Sequence, residues 1–117
     1  MLLSKKCLFS FDECISKLKE AIRKGGADIF AEIDHSENAR RANLSLPRTV
    51  LLIFGNPAVG TLLMQRKREI GFDLPLRILI WEENGVTFLS YRIPSDIAKE
   101  YGIELLVLTK MDEFMNS

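Results

Sequence analysis

The chain has 117 residues, 47% of them hydrophobic and 27% charged. That length suits one domain with one core, residues 1–117, and that balance excludes a disordered chain. Lys+Arg and Asp+Glu both number 16, so the net charge is zero and the basic excess of a general nucleic-acid binder is missing.

The stretch Met1 to Lys6 is too short and too polar for a signal peptide. No apolar run approaches the roughly 18 residues of a membrane span. The expectation is a cytoplasmic protein with no membrane contact. Cys7 and Cys14 are then expected as free, structural thiols. Their spacing matches neither a C-x-x-C redox pair nor a zinc knuckle.

Lys6 to Phe9 reads as a short strand. Ser10 opens a helix, with Glu13 completing a capping box. Phe11, Cys14, Ile15, Leu18, Ala21 and Ile22 form its apolar face, and Gly25-Gly26 stops it. In the strand Ala27 to Ile33, Ile29, Ala31 and Ile33 are expected on one face, against Asp28, Phe30 and Glu32. Asp34-His35 follows, then a polar stretch from Ser36 to Asn43 with room for a short helix. Arg48 to Phe54 is the next strand, and its near-continuous apolar run predicts a central position.

That strand stops at Gly55-Asn56-Pro57. Asn is a good N-cap and Pro suits the first helical position, so a helix begins at once and reaches Lys67 or Arg68. Asp73-Leu74-Pro75 breaks the chain. Leu76 to Trp81 and Val86 to Tyr91 are strands joined through Asn84-Gly85, a hairpin signal. Pro94 to Tyr101 reads as a short helix. Glu104 to Met115 fits strand or helix. Hairpin-joined strands plus helices predict an α+β two-layer sandwich, with a mainly antiparallel sheet of about five strands and helices on one face. The uncovered face favours self-association.

Gly25-Gly26, Ile33-Asp34-His35, Asn38-Ala39, Ile53-Phe54-Gly55-Asn56-Pro57, Asp73-Leu74-Pro75-Leu76 and Trp81-Glu82 occur in that order. Together they resemble the domain-of-unknown-function family numbered 302, small bacterial and archaeal proteins. The resemblance runs from about Phe11 to Tyr101. It implies a compact α+β fold, a sheet packed against helices and a homodimer, and it implies no settled activity. The chain departs from the family pattern after the last strand, where Arg92-Ile93-Pro94 replaces an Asn-Asp-Pro-like run.

Two places could carry chemistry. His35 is the only histidine, and with Asp34 beside it an acid/base role is open. One histidine without clustered ligands makes a poor metal site, so no metal is expected, and no cofactor. The structural reading of Asp34-His35 is a strand-end cap for the segment that follows. Gly55-Asn56 delivers a helix N-terminus, where backbone donors can hold a small anionic ligand. Its structural reading is a tight strand-to-helix turn. Arg40 and Arg41 could add charge, and Arg66-Lys67-Arg68 suits a helix C-terminus. The combined expectation is a cytoplasmic homodimer that binds a small, anionic ligand or a partner at Gly55, Asn56, His35 and Arg40. The alternative is a small enzyme using His35 as acid/base beside Asn56. Both require the two strand ends to open on the same edge of the sheet.

Overall fold

The computed structural model describes residues 1–104 and 111–112. The elements are β1 (Leu2–Cys7), α1 (Phe11–Lys24), β2 (Asp28–Asp34), α2 (His35–Arg41), β3 (Thr49–Gly55), α3 (Pro57–Arg66), a short 3-10 turn (Arg68–Phe72), β4 (Leu76–Glu83), β5 (Val86–Arg92) and α4 (Pro94–Glu100). The strands form one five-stranded sheet in the order β1-β5-β4-β3-β2. Every neighbouring pair is antiparallel. The fold is α+β.

Local signals placed the element ends. The Ser10 side chain accepts a hydrogen bond from the Glu13 N–H at 3.3 Å, and the Gly25 N–H bonds to Ala21 as α1 closes. The hairpin between β4 and β5 turns on Asn84 (φ 51°) and Gly85 (φ 76°), two successive left-handed residues that suit the twist of a two-residue turn. The Leu74-Pro75 peptide is cis. Residues 105–110 and 113–117, most of the segment with an ambiguous pattern, lie outside the described residues.

The core lies between the sheet and the helices. Val50, Leu52 and Phe54 of β3 pair with Ile80, Ile78 and Leu76 of β4 on one face. Leu89 and Tyr91 of β5 extend it. Phe11, Ile15 and Ile22 of α1, Leu63 of α3 and Ile97 and Ala98 of α4 close over that face. Helix α2 contributes no buried residue.

The opposite face carries Ile33, Leu51, Leu79, Trp81 and Phe88, half-buried and outside the core cluster. Trp81 stacks on Phe88 with ring centroids 4.7 Å apart, and its indole N–H donates to Ser90 Oγ at 2.9 Å. Ser90 Oγ lies 2.6 Å from Ser4 Oγ on the edge strand.

Four expectations need correction. First, Ile29, Ala31 and Ile33 do not share a face. Ile29 pairs with Phe54, but after an irregularity at Phe30 it is Ala31 that pairs with Ile53. A bulge inserts one unpaired residue and so flips the alternation beyond it. Glu32 thereby turns to the helix side, where its carboxylate meets Lys19 of α1. Second, β4 is the middle strand, and β3 is interior but one place off centre. Third, the first strand is longer and earlier than expected, Leu2–Cys7, because pairing along β5 holds even Lys5 and Lys6 in register. Fourth, Cys7 and Cys14 are joined by a disulfide rather than free. Cys7 lies on the helix side of β1, opposite the buried Thr87, and Cys14 lies on the buried face of α1, which brings their Cα atoms to 6.4 Å. That separation is within reach of a bridge.

Candidate functional site

The sheet pairing decides where the expected site residues go. Asp28 pairs with Gly55, and Asp34 pairs with Val50. The exits of β2 and β3 therefore lie at opposite ends of an antiparallel ladder, about 20 Å apart at roughly 3.3 Å per residue. His35 leaves one end and Asn56 the other. The joint site expected from His35, Arg40 and Asn56 is not formed, and the alternative that set a His35 acid/base beside Asn56 fails for the same reason.

At the His35 end, the polar residues cap and stitch. Asp34 is the N-cap of α2: its Oδ1 accepts the Glu37 N–H at 2.9 Å and the Ser36 hydroxyl at 2.5 Å. Ser36 Oγ in turn accepts the Thr49 N–H at 3.2 Å and ties α2 to the start of β3. Arg40 is occupied within its own helix, with Nη2 2.5 Å and Nε 3.0 Å from the Glu37 carboxylate. His35 is exposed. Among the described residues no group of three His, Cys, Asp or Glu side chains is arranged to hold a metal.

The Ser36 hydroxyl, then the Glu37 N–H, holds the Asp34 carboxyl below its usual range. A depressed carboxyl adds stability above its unfolded pKa, and that stability is lost as pH falls through the folded value. Asp34→Ala is expected to destabilise the fold by about 1 kcal/mol at neutral pH, the usual cost of a lost cap. In urea titrations the gap between wild type and variant should shrink as pH is lowered below the ordinary value of 3.8. A gap that is constant from neutral to acidic pH would contradict the capping role.

At the Asn56 end there is a cleft of about 460 Å³. Gly25 and Ala27 reach it from the α1–β2 corner, and Phe30 from the bulge. Phe54, Gly55 and Asn56 end β3 there, and Val59, Gly60, Thr61 and Met64 of α3 form a wall. Leu74, Pro75 and Leu76 enter at the start of β4, and Met111 completes the lining. Gly71 makes a close approach possible, since a Cβ there would sit 3.0 Å from Met64 Sδ.

The helix N-terminus in this cleft is already satisfied. Asn56 Oδ1 accepts the Ala58 N–H at 3.0 Å and the Val59 N–H at 3.4 Å. The Gly60 N–H bonds to the Asn56 carbonyl at 2.9 Å, and Pro57 has no N–H. None of the first four positions of α3 keeps a free donor.

Much of the cleft was legible and part was not. Gly25, Gly55, Asn56 and Pro57 stand in the stretches that carry the family resemblance, as do Leu74 and Pro75. Asp73 of the same run accepts the Tyr101 hydroxyl, which ties the C-terminus of α4 to the loop before β4 and raises the Tyr101 pKa. Phe30 carried no signal, because only the bulge aims it at the cleft. Met64 and Gly71 lie too far apart in sequence for their contact to be read.

Three kinds of similarity accompany this geometry. The chain matches "Fluoride-specific ion channel FluC 1" of Brucella suis biovar 1 with 41% identity over 97 residues, which is 82% of this chain and 38% of that protein. "Fluoride-specific ion channel FluC 2" of Brucella melitensis biotype 1 matches with the same identity over 36% of its length. The chain therefore spans well under half of these relatives. Among the described residues no helix is long and apolar enough to cross a membrane. The crystal structure of an uncharacterized conserved DUF302 protein from Bacillus stearothermophilus superposes with a TM-score of 0.81 at 17% identity, covering 97% of this chain and 88% of that one. The model of the family described as "Domain of unknown function DUF302" matches residues 3–117, and the chain belongs to that family.

Proposed function

We propose that this protein is a homodimeric binding domain that holds a small ligand in the cleft beside α3. The cleft carries this reading. Its volume of about 460 Å³ lies within the range of small-molecule sites, and its walls are apolar with a few polar groups at the rim. The face that favours a dimer is elsewhere. Leu51, Leu79, Trp81 and Phe88 point away from the helices, whereas the cleft opens on the helix side. Five strands of this length present a face on the order of 500 Å² in projection. A corrugated surface of that extent approaches the roughly 800 Å² per partner of a stable interface. Ligand and partner would not compete.

The test is a thermal-shift panel of apolar and anionic small molecules, run on wild type and on Gly60→Leu. Gly60 lines the cleft, and among the described residues a Cβ there meets only Met64 Cε, at 3.9 Å. A leucine at this position fills the site, and it also improves on glycine in a helix. Gly60→Ala controls for that gain. A ligand at a hundred-fold excess over Kd stabilises by about 2.7 kcal/mol. At least one compound should stabilise wild type and Gly60→Ala but not Gly60→Leu. If every compound acts alike on all three proteins, the cleft is not a binding site.

The cytoplasmic location expected from the sequence belongs to the same proposal. A Cys7–Cys14 bridge that persists in protein isolated from cells with thiols trapped at lysis would argue against a reducing compartment.

A second reading rests on the relatives named as fluoride-specific ion channels. No described helix of this chain can span a membrane, so the shared portion supports a module that acts beside a pore. In this reading the chain works as the partner of a fluoride channel. Vesicles carrying such a channel should release fluoride at a different rate when the full chain is added. An unchanged rate across a saturating range of the protein would dismiss it.

A further inference from the structure

Resting on the cleft as a binding site, we infer that its ligand is an uncharged, mainly aliphatic molecule with one hydroxyl or carbonyl group, and that the Asn56 amide N–H is the donor that meets it. The sequence alone pointed to an anion. The structure removes each support for one. The backbone donors that would hold an anion at the start of α3 are taken by Asn56 Oδ1 and by the Asn56 carbonyl. Among the described residues no Lys, Arg, His, Asp or Glu lines the cleft. A charged group entering it would lose hydration with no ion partner among the described residues to replace it, which is strongly unfavourable.

The lining instead offers hydrocarbon and thioether surface from Phe30, Val59, Met64, Leu74, Pro75 and Met111. Unbranched methionines on two sides adapt to flexible chains better than branched side chains do. The polar groups are few. The Thr61 hydroxyl donates to the Pro57 carbonyl at 2.7 Å, so it is turned inward to its own helix. The Asn56 carbonyl oxygen is committed to two backbone N–H groups, which fixes the orientation of the amide and leaves its NH2 as the donor at the rim. Among the described residues, one side-chain donor and no charge select a neutral acceptor.

Titration calorimetry with 1-hexanol, 1-heptanol, 1-octanol, 2-octanone and octanoate tests this on the full chain. Affinity should rise about fourfold per methylene along the alcohols. Octanoate should bind at least tenfold more weakly than 1-octanol. Asn56→Asp keeps a good helix cap but replaces the amide donor with a carboxylate. It should lower 2-octanone affinity up to about tenfold, the worth of one hydrogen bond, while thermal unfolding stays near that of wild type. Octanoate binding as tightly as 1-octanol, or alcohols binding with no dependence on chain length, would overturn the inference. Unchanged 2-octanone affinity in Asn56→Asp would remove Asn56 as the donor. If an anion from the panel stabilises wild type but not Gly60→Leu, the cleft still binds ligand and only the ligand class is wrong.

Discussion

Leu79→Arg is expected to dissociate the proposed homodimer into monomers. Leu79 sits on β4, the middle strand, and pairs with Leu51 on one side and Ser90 on the other, on the sheet face opposite the buried core. In a two-fold dimer the same patch meets itself, so one substitution places two cations in one interface. An unpaired buried charge is unfavourable by several kcal/mol, which raises the dimer dissociation constant by a factor of about a thousand or more. Light scattering at micromolar concentration should give twice the 13.3 kDa chain mass for wild type and the single chain mass for the variant. Folding should survive, because Leu79 is only half-buried within one chain. A wild-type protein that is monomeric under these conditions would end the dimer proposal.

Phe54→Ala is expected to destabilise the fold by about 3–5 kcal/mol, the usual range for removing a buried ring. Phe54 is 2% exposed, the last apolar residue of β3 before the turn to α3. It pairs with Leu76 across the sheet and with Ile29 on the other side, and it also lines the cleft. Domains of this size are stable by about 5–15 kcal/mol in all, so the loss would be a large share of the total. Urea unfolding should show a lower midpoint with an unchanged slope. A loss below about 1 kcal/mol would mean that this corner of the core repacks around the gap, and that the cleft is less rigid than its lining implies.

The helix and turn boundaries were written locally. Ser10 with Glu13, Gly25-Gly26, Asn56-Pro57 and Asn84-Gly85 each act on a backbone group within four residues, so their effect does not depend on what the rest of the chain does. The α+β class and the membership in a helix-covered antiparallel family followed from those boundaries and from apolar periodicity. Strand direction around β2 did not. The connection from His35 to Arg48 is long enough either to return as an antiparallel neighbour or to cross over to a parallel one, and nothing in its composition chooses. That choice separated His35 from Asn56 and left Asp34 as a helix cap and Ser36 as a tie between α2 and β3. The bulge at Phe30 was also invisible, because a two-residue period reads the same until a partner strand shows which residue is unpaired. The Cys7–Cys14 bridge depends on β1 settling beside β5 under α1, a contact between distant parts of the chain. The cleft is of the same kind. Its lining comes from the α1–β2 corner, β2, β3, α3, the loop before β4, β4 and Met111, and only packing brings residues so far apart in sequence to one surface.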